Sequence, residues 1–128
     1  MRYENFIKDE KVQTILQEIN ENGIVSDKEK FKKMSYGLLC FHEKDNEYNR
    51  TTVRYLFNGR HYASALLYYC TMKGWVEPII ILLDIGVDFL EICFVDYDCQ
   101  PTNIPETVKH LFSESIFELW KDCNLFLL

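Results

Sequence analysis

Between residues 54 and 71 the polar side chains recur with the period of a helix. Arg54, Asn58, His61, Ser64, Tyr68 and Thr71 are separated by 4, 3, 3, 4 and 3 positions, which brings all six onto one narrow helical face. Strands alternate faces at every residue and give no reason for that spacing. The same stretch holds Asn58-Gly59 between apolar residues, the strongest short signal for a hairpin turn. The periodicity runs the length of the segment and the turn signal covers two residues, so the spacing predicts a helix over 50–73, kinked at Gly59.

The next segment poses the same choice. Residues 77–96 are rich in β-branched side chains (Ile79, Ile80, Ile81, Ile85, Val87, Ile92, Val95), as a buried hairpin turning at Gly86 would be. Glu77, Asp84, Asp88 and Glu91 nevertheless fall 7, 4 and 3 apart, again one helical stripe. Glu77-Pro78 suits a helix start, where proline loses no hydrogen bond and an acid meets the positive end of the dipole. A helix apolar on all but one stripe belongs at the centre of a bundle.

Three amphipathic helices are predicted around this pair. The first, over 4–21, buries Phe6, Val12, Ile15, Leu16 and Ile19 and ends before Gly23. The second opens at Ser26, where Ser26-Asp27-Lys28-Glu29 has the form of a capping box, and continues with Phe31, Met34, Leu38 and Phe41 on one stripe. Residues 42–49 are polar and read as a loop. The last runs from an Asn103 cap through Pro105 and Glu106 to about residue 121, with Val108, Leu111, Phe112, Ile116, Leu119 and Trp120 as its apolar face. The apolar tail Leu125–Leu128 is expected to dock on the body. The expectation is an all-α compact bundle of about five helices, residues 1–128 in one domain, around a central apolar helical hairpin turning at Lys73-Gly74. The alternative is α+β, an antiparallel sheet from residues 50–97 flanked by helices.

A chain of 128 residues with 48% hydrophobic side chains buries a core without disulfides or metals. Its N-terminus carries charges where a leader's apolar stretch would lie, and the longest apolar run, Ile79–Leu83, falls far short of the roughly 20 residues that cross a bilayer. Cys40, Cys70, Cys93, Cys99 and Cys123 are odd in number and hold no CxxC pair, as expected of free thiols in the reducing cytoplasm.

Charge is the most informative quantity. The net charge is −6, close to balance over residues 1–50, +3 over 51–74, and −8 over 75–128, where ten acids meet two bases. Such a half repels nucleic acid and anionic membrane and attracts basic proteins. The acids Asp84, Asp88, Glu91, Asp96 and Asp98, with Tyr97 among them, are the candidate partner-binding residues. The competing reading is the solvated face of a mostly buried helix.

Other chemistry is weaker. Cys40-Phe41-His42 and Cys93…Cys99 do not have zinc-ligand spacing, and Glu106, His110 and Glu114 read as a surface ladder, so no metal and no cofactor is expected. Cys70 and His61 could form a nucleophilic pair only if the third helix were bent, and a buried structural cysteine is the simpler reading. Arg50, Arg54, Arg60 and His61 with Tyr55 and Tyr62 form a small basic and aromatic cluster, but no phosphate-binding glycine motif accompanies it.

Two local resemblances favour paired helices. Gly74, Glu77, Leu82, Leu83, Gly86 and Asp88, within residues 74–88, resemble the second helix of an ankyrin repeat, without recurrence at the repeat length. Asn58-Gly59-Arg60 opening an apolar helical hairpin is similar to Bcl-2-like proteins. Short chains of similar composition, viral immune modulators among them, share such features, and the resemblances imply a helical adaptor, ankyrin-like or Bcl-2-like, binding a peptide or helix in an apolar groove. The charge asymmetry implies instead a non-enzymatic inhibitor of immunity or antitoxin type that neutralises a basic partner, a toxin or nuclease, with Trp75, Tyr97 or Trp120 as anchors.

Overall fold

The computed structural model describes residues 3–41, 59–89, 92, 99 and 103–119. These form α1 (Tyr3–Ile7), α2 (Glu10–Leu16), α3 (Lys28–Leu39), α4 (Gly59–Lys73), α5 (Val76–Asp84) and α6 (Glu106–Lys109), with a further helical stretch over 114–119. The fold is an all-α bundle, and among the described residues no strand occurs; a single antiparallel bridge joins Ile19 to Val25.

The middle segment is helical, as its spacing predicts. α4 begins at Gly59, whose N–H donates to the Phe41 carbonyl at 2.8 Å and whose missing side chain leaves room for the Leu38 and Phe41 backbone. The expected kink at Gly59 depends on residues 50–58, which lie outside the described ones. α4 is buried on almost every side and packs against α1, α2, α3 and α5. Its polar stripe is therefore internal. His61, Ser64, Tyr68 and Thr71 are all buried. Thr71 Oγ1 donates to the Leu67 carbonyl at 2.7 Å, and Ser64 Oγ donates to the Asp88 carbonyl. Hydroxyls can enter a core when each finds a backbone acceptor.

Glycines stop the two central helices. Gly74 has φ 73°, its N–H donates to Thr71 O, and the Trp75 N–H reaches back to Cys70 O. Gly86, at φ 95°, repeats the arrangement, with Gly86 N–H to Leu83 O and Val87 N–H to Leu82 O. Both are Schellman caps, which satisfy orphan carbonyls through a left-handed residue. The predicted turn at Lys73-Gly74 is thus present, and the predicted helix over 77–96 stops at Asp84.

Competing side-chain acceptors split the outer helices. The first predicted helix breaks after Ile7, because Asp9 Oδ1 accepts from Lys11 N–H at 2.9 Å and caps α2. α2 then ends at Leu16, well before Gly23. α3 is capped by Asp27, not Ser26: Asp27 Oδ1 accepts from Lys30 N–H at 3.1 Å, while Ser26 Oγ donates to Glu18 O. Asn103 does not cap the last helix. α6 starts after Pro105, stops at Lys109, and helix resumes only at 114 beyond Ser113.

One apolar cluster joins these pieces, with Phe6, Val12, Phe31, Leu66, Leu67, Ile79, Leu82, Phe89, Ile92 and Val108 fully buried. Edge-on ring contacts run through it: Phe6 with Tyr62 at 5.1 Å, Tyr3 with Tyr68 at 5.2 Å, and Tyr68 with Phe89 at 6.4 Å. No helix among the described residues is long and apolar enough to cross a membrane.

Two stability measurements by urea unfolding check this account. Asp27→Ala is expected to cost about 1 kcal/mol, the usual loss of an N-cap, and Ser26→Ala clearly less. Ser35 is fully buried on α3, and its Oγ has no hydrogen-bond partner among the described residues. Ser35→Ala is expected to be neutral or to stabilise by about 1 kcal/mol, because a desolvated hydroxyl is removed.

Candidate functional site

Among the described acids, Asp88 does not continue the stripe of Glu77 and Asp84 on α5. Asp84 is the last residue of α5, whereas Asp88 lies beyond the Gly86 cap, so the two leave the helix in different directions. The physical reason is the cap itself, which turns the chain within the interval that the spacing assigned to continuous helix. Asp84 is exposed, with Oδ2 3.5 Å from Lys32 Nζ. Asp88 is half-buried, and its carbonyl receives the Ser64 hydroxyl. Glu91, Asp96, Tyr97 and Asp98 lie outside the described residues.

Other acids of this half have local partners as well. Glu77 Oε1 accepts the Val25 N–H at 3.2 Å and lies 3.9 Å from Lys28 Nζ, tying the loop before α3 to α5. Glu106 pairs with Lys109 at 2.7 Å. Exposed pairs of this kind contribute little stability, about 0–1 kcal/mol. Their effect on the field is larger, since each places an ammonium beside a carboxylate that would otherwise face a partner. Trp75 is half-buried between Tyr69, 5.9 Å away, and Gly23, where a side chain would collide with the indole.

The described residues do not bring a catalytic group together. Cys70 is buried, and desolvation pushes its thiol well above the ordinary range, which suppresses the thiolate. His61 lies nine positions earlier on the same helix, about 13 Å along its axis, stacked on Phe6. Burial also raises Tyr3, with Cys99 and Tyr68 adding to the effect. Among the described residues no group of three His, Cys, Asp or Glu side chains could hold a metal, and the Glu106, His110, Glu114 row is interrupted where α6 ends. Arg60 borders a polar cavity of about 10 Å³ with Ser64, Gly86 and Asp88, room for one water. The rest of the basic cluster, Arg50, Arg54 and Tyr55, lies outside the described residues.

The feature that sequence reasoning missed is an open apolar groove of about 360 Å³ between α2 and α3. Thr14 and Ile15 form one wall, and Met34, Gly37, Leu38 and Phe41 form the other. Lys11 stands at the mouth with its ammonium 4.4 Å from the centre of the Phe41 ring. Met34, Gly37 and Leu38 share one face of α3, and Phe41 follows just beyond its end. Leu38 is fully buried and anchors that wall, whereas Met34 and Phe41 are only half-buried. The signal was present in the apolar stripe of α3, but a stripe cannot reveal which of its members stay half-exposed.

Alkylation tests the cysteine assignments. Cys40 is exposed and Cys70 and Cys99 are buried. Brief iodoacetamide treatment followed by peptide mass spectrometry is expected to label Cys40 and to spare Cys70 and Cys99 until denaturant is added. The chain matches no protein-family model, no curated protein and no solved structure.

Proposed function

We propose that this chain is a non-catalytic helical adaptor that takes an amphipathic helix of a partner protein in the groove between α2 and α3. The observation that supports it is the groove, whose volume lies within the usual range of about 300–1,000 Å³ for ligand sites and whose walls are mostly apolar. Helix-in-groove recognition needs an apolar trough on rigid elements, entered by side chains spaced i, i+3, i+4 and i+7. Here the trough rests on two packed helices, with Leu38 and Ile15 held by the core beneath. Little ordering is then required when a partner enters, which favours affinity.

A second reading is an inhibitor of immunity or antitoxin type that meets a basic toxin or nuclease. The −8 charge of residues 75–128 and the exposure of Asp84, Glu114 and Glu118 favour it. It ranks second because Glu77, Asp84 and Glu106 already face lysines. Both readings place the chain in the reducing cytoplasm, where its cysteines remain thiols.

Binding of a labelled helical peptide with a leucine stripe, followed by anisotropy in low and high salt, separates the two. The adaptor is expected to bind with weak salt dependence. Met34→Glu, which puts a charge on a half-exposed wall, is expected to weaken binding about tenfold or more, a loss of roughly 1.4 kcal/mol, with the circular dichroism spectrum unchanged. Absence of peptide binding, together with salt-sensitive capture of a basic protein that Asp84→Asn weakens, would select the inhibitor.

A further inference from the structure

We propose that Gly37 is the point at which the backbone of the partner helix crosses α3, and that this helix carries a carboxylate for Lys11. The inference rests on the adaptor reading and specifies its occupant.

Gly37 is the one glycine that the fold leaves unexplained. The chain has five. Gly74 and Gly86 hold left-handed conformations, and Gly23 does so beneath Trp75. Gly59 touches the backbone at the end of α3. Gly37 has neither property. Its φ is not positive, it is exposed inside α3, and a Cβ built on it meets no described atom within 4 Å. Glycine in a helix costs backbone entropy that alanine does not. At this position no contact among the described residues offsets that cost.

The gain is intelligible if another backbone approaches there. Helix pairs ordinarily keep axes about 8–10 Å apart because their side chains intervene. A glycine on the contact face removes one such obstacle and lets main chain approach main chain. Gly37 lies in the wall of the groove with Met34, Leu38 and Phe41, where a crossing helix would rest.

Charge identifies the rim of the occupant. Among the described residues that line the groove, Lys11 alone is charged. Its ammonium lies against the Phe41 ring, and the ion pairs of the described residues do not include it. At one end of the same two helices Lys30 is already paired with Glu18 at 3.5 Å. Lys11 thus offers a cation beside an apolar trough, and a carboxylate one turn from the partner's apolar anchor would complete it.

The test uses the full chain and two fluorescein-labelled peptides of about four helical turns, each with a leucine stripe, one flanked by glutamates and the other by lysines. Sodium dodecanoate serves as competitor, to represent an acyl chain with a carboxylate. The glutamate peptide is expected to bind more tightly, and Lys11→Gln to abolish that preference while apolar binding persists. Gly37→Ala is expected to act in opposite directions. It raises the melting temperature of the free chain by a few degrees, as a helix-compatible Gly→Ala change does in a domain of this size, and weakens the glutamate peptide about tenfold. If both peptides bind and Gly37→Ala leaves their affinity unchanged, or lowers the melting temperature, the crossing point is wrong while the adaptor reading stands. If neither peptide binds, the adaptor reading falls and the inference falls with it. Displacement by dodecanoate with no effect of Gly37→Ala would assign the groove to an acyl chain and overturn the proposal.

Discussion

α4 is a helix with almost no face for water, and the other helices are placed by the need to cover it. Burial on every side leaves its polar side chains dependent on internal acceptors, and the positions of Ser64 and Thr71 reflect that. Thr71 bonds back to the preceding turn, which any buried helix can provide. Ser64 requires the carbonyl of Asp88, so the segment after α5 must return across α4. The Schellman cap at Gly86 produces that return. The hydrogen bond, the glycine and the early end of α5 are parts of one arrangement, in which a backbone carbonyl is brought to a hydroxyl that cannot reach water.

Aromatic rings fill the space around this centre. Tyr3 and Phe6 of the short α1 lie edge-on to Tyr68 and Tyr62 of α4, so a helix of five residues is held by two large side chains and not by its own hydrogen bonds. The outer helices are short for a related reason. Asp9 and Asp27 offer side-chain acceptors that begin new helices, and the segments between them turn through bonds to Asn20 Oδ1 and Glu18 O. Helices cut this way pack around α4, and the described residues leave the seam between α2 and α3 open as the groove.

The seam between α3 and α5 is closed differently. Lys28 and Lys32 face Glu77 and Asp84 there, and Glu77 also holds the Val25 backbone. The acidic half therefore directs part of its charge at the basic helix of its own chain. The groove on the other side of α3 carries a single cation and otherwise apolar walls. One helix thus separates a polar, internally paired seam from a mostly apolar one that the described residues leave open.

Much of the fold was legible in the residues. Polar spacings of 3 and 4 favoured helix over strand in the segment that became α4 despite Asn58-Gly59, because strand geometry cannot place such residues on a common face. The turn at Lys73-Gly74 was equally plain, since glycine is what a left-handed cap requires. Helix ends were less legible: Ser26 and Asp27 are both good caps, and which one bonds depends on whether Glu18 is near enough to take the serine. An apolar groove was expected from the resemblances, but its place between α2 and α3 was not legible. The sequence by itself determined the helices, the central apolar pair and the net charge, because these follow from local periodicity and composition. Only the tertiary structure decided which carboxylates face lysines and which apolar side chains stay half-exposed, because both depend on distances between segments far apart in the chain.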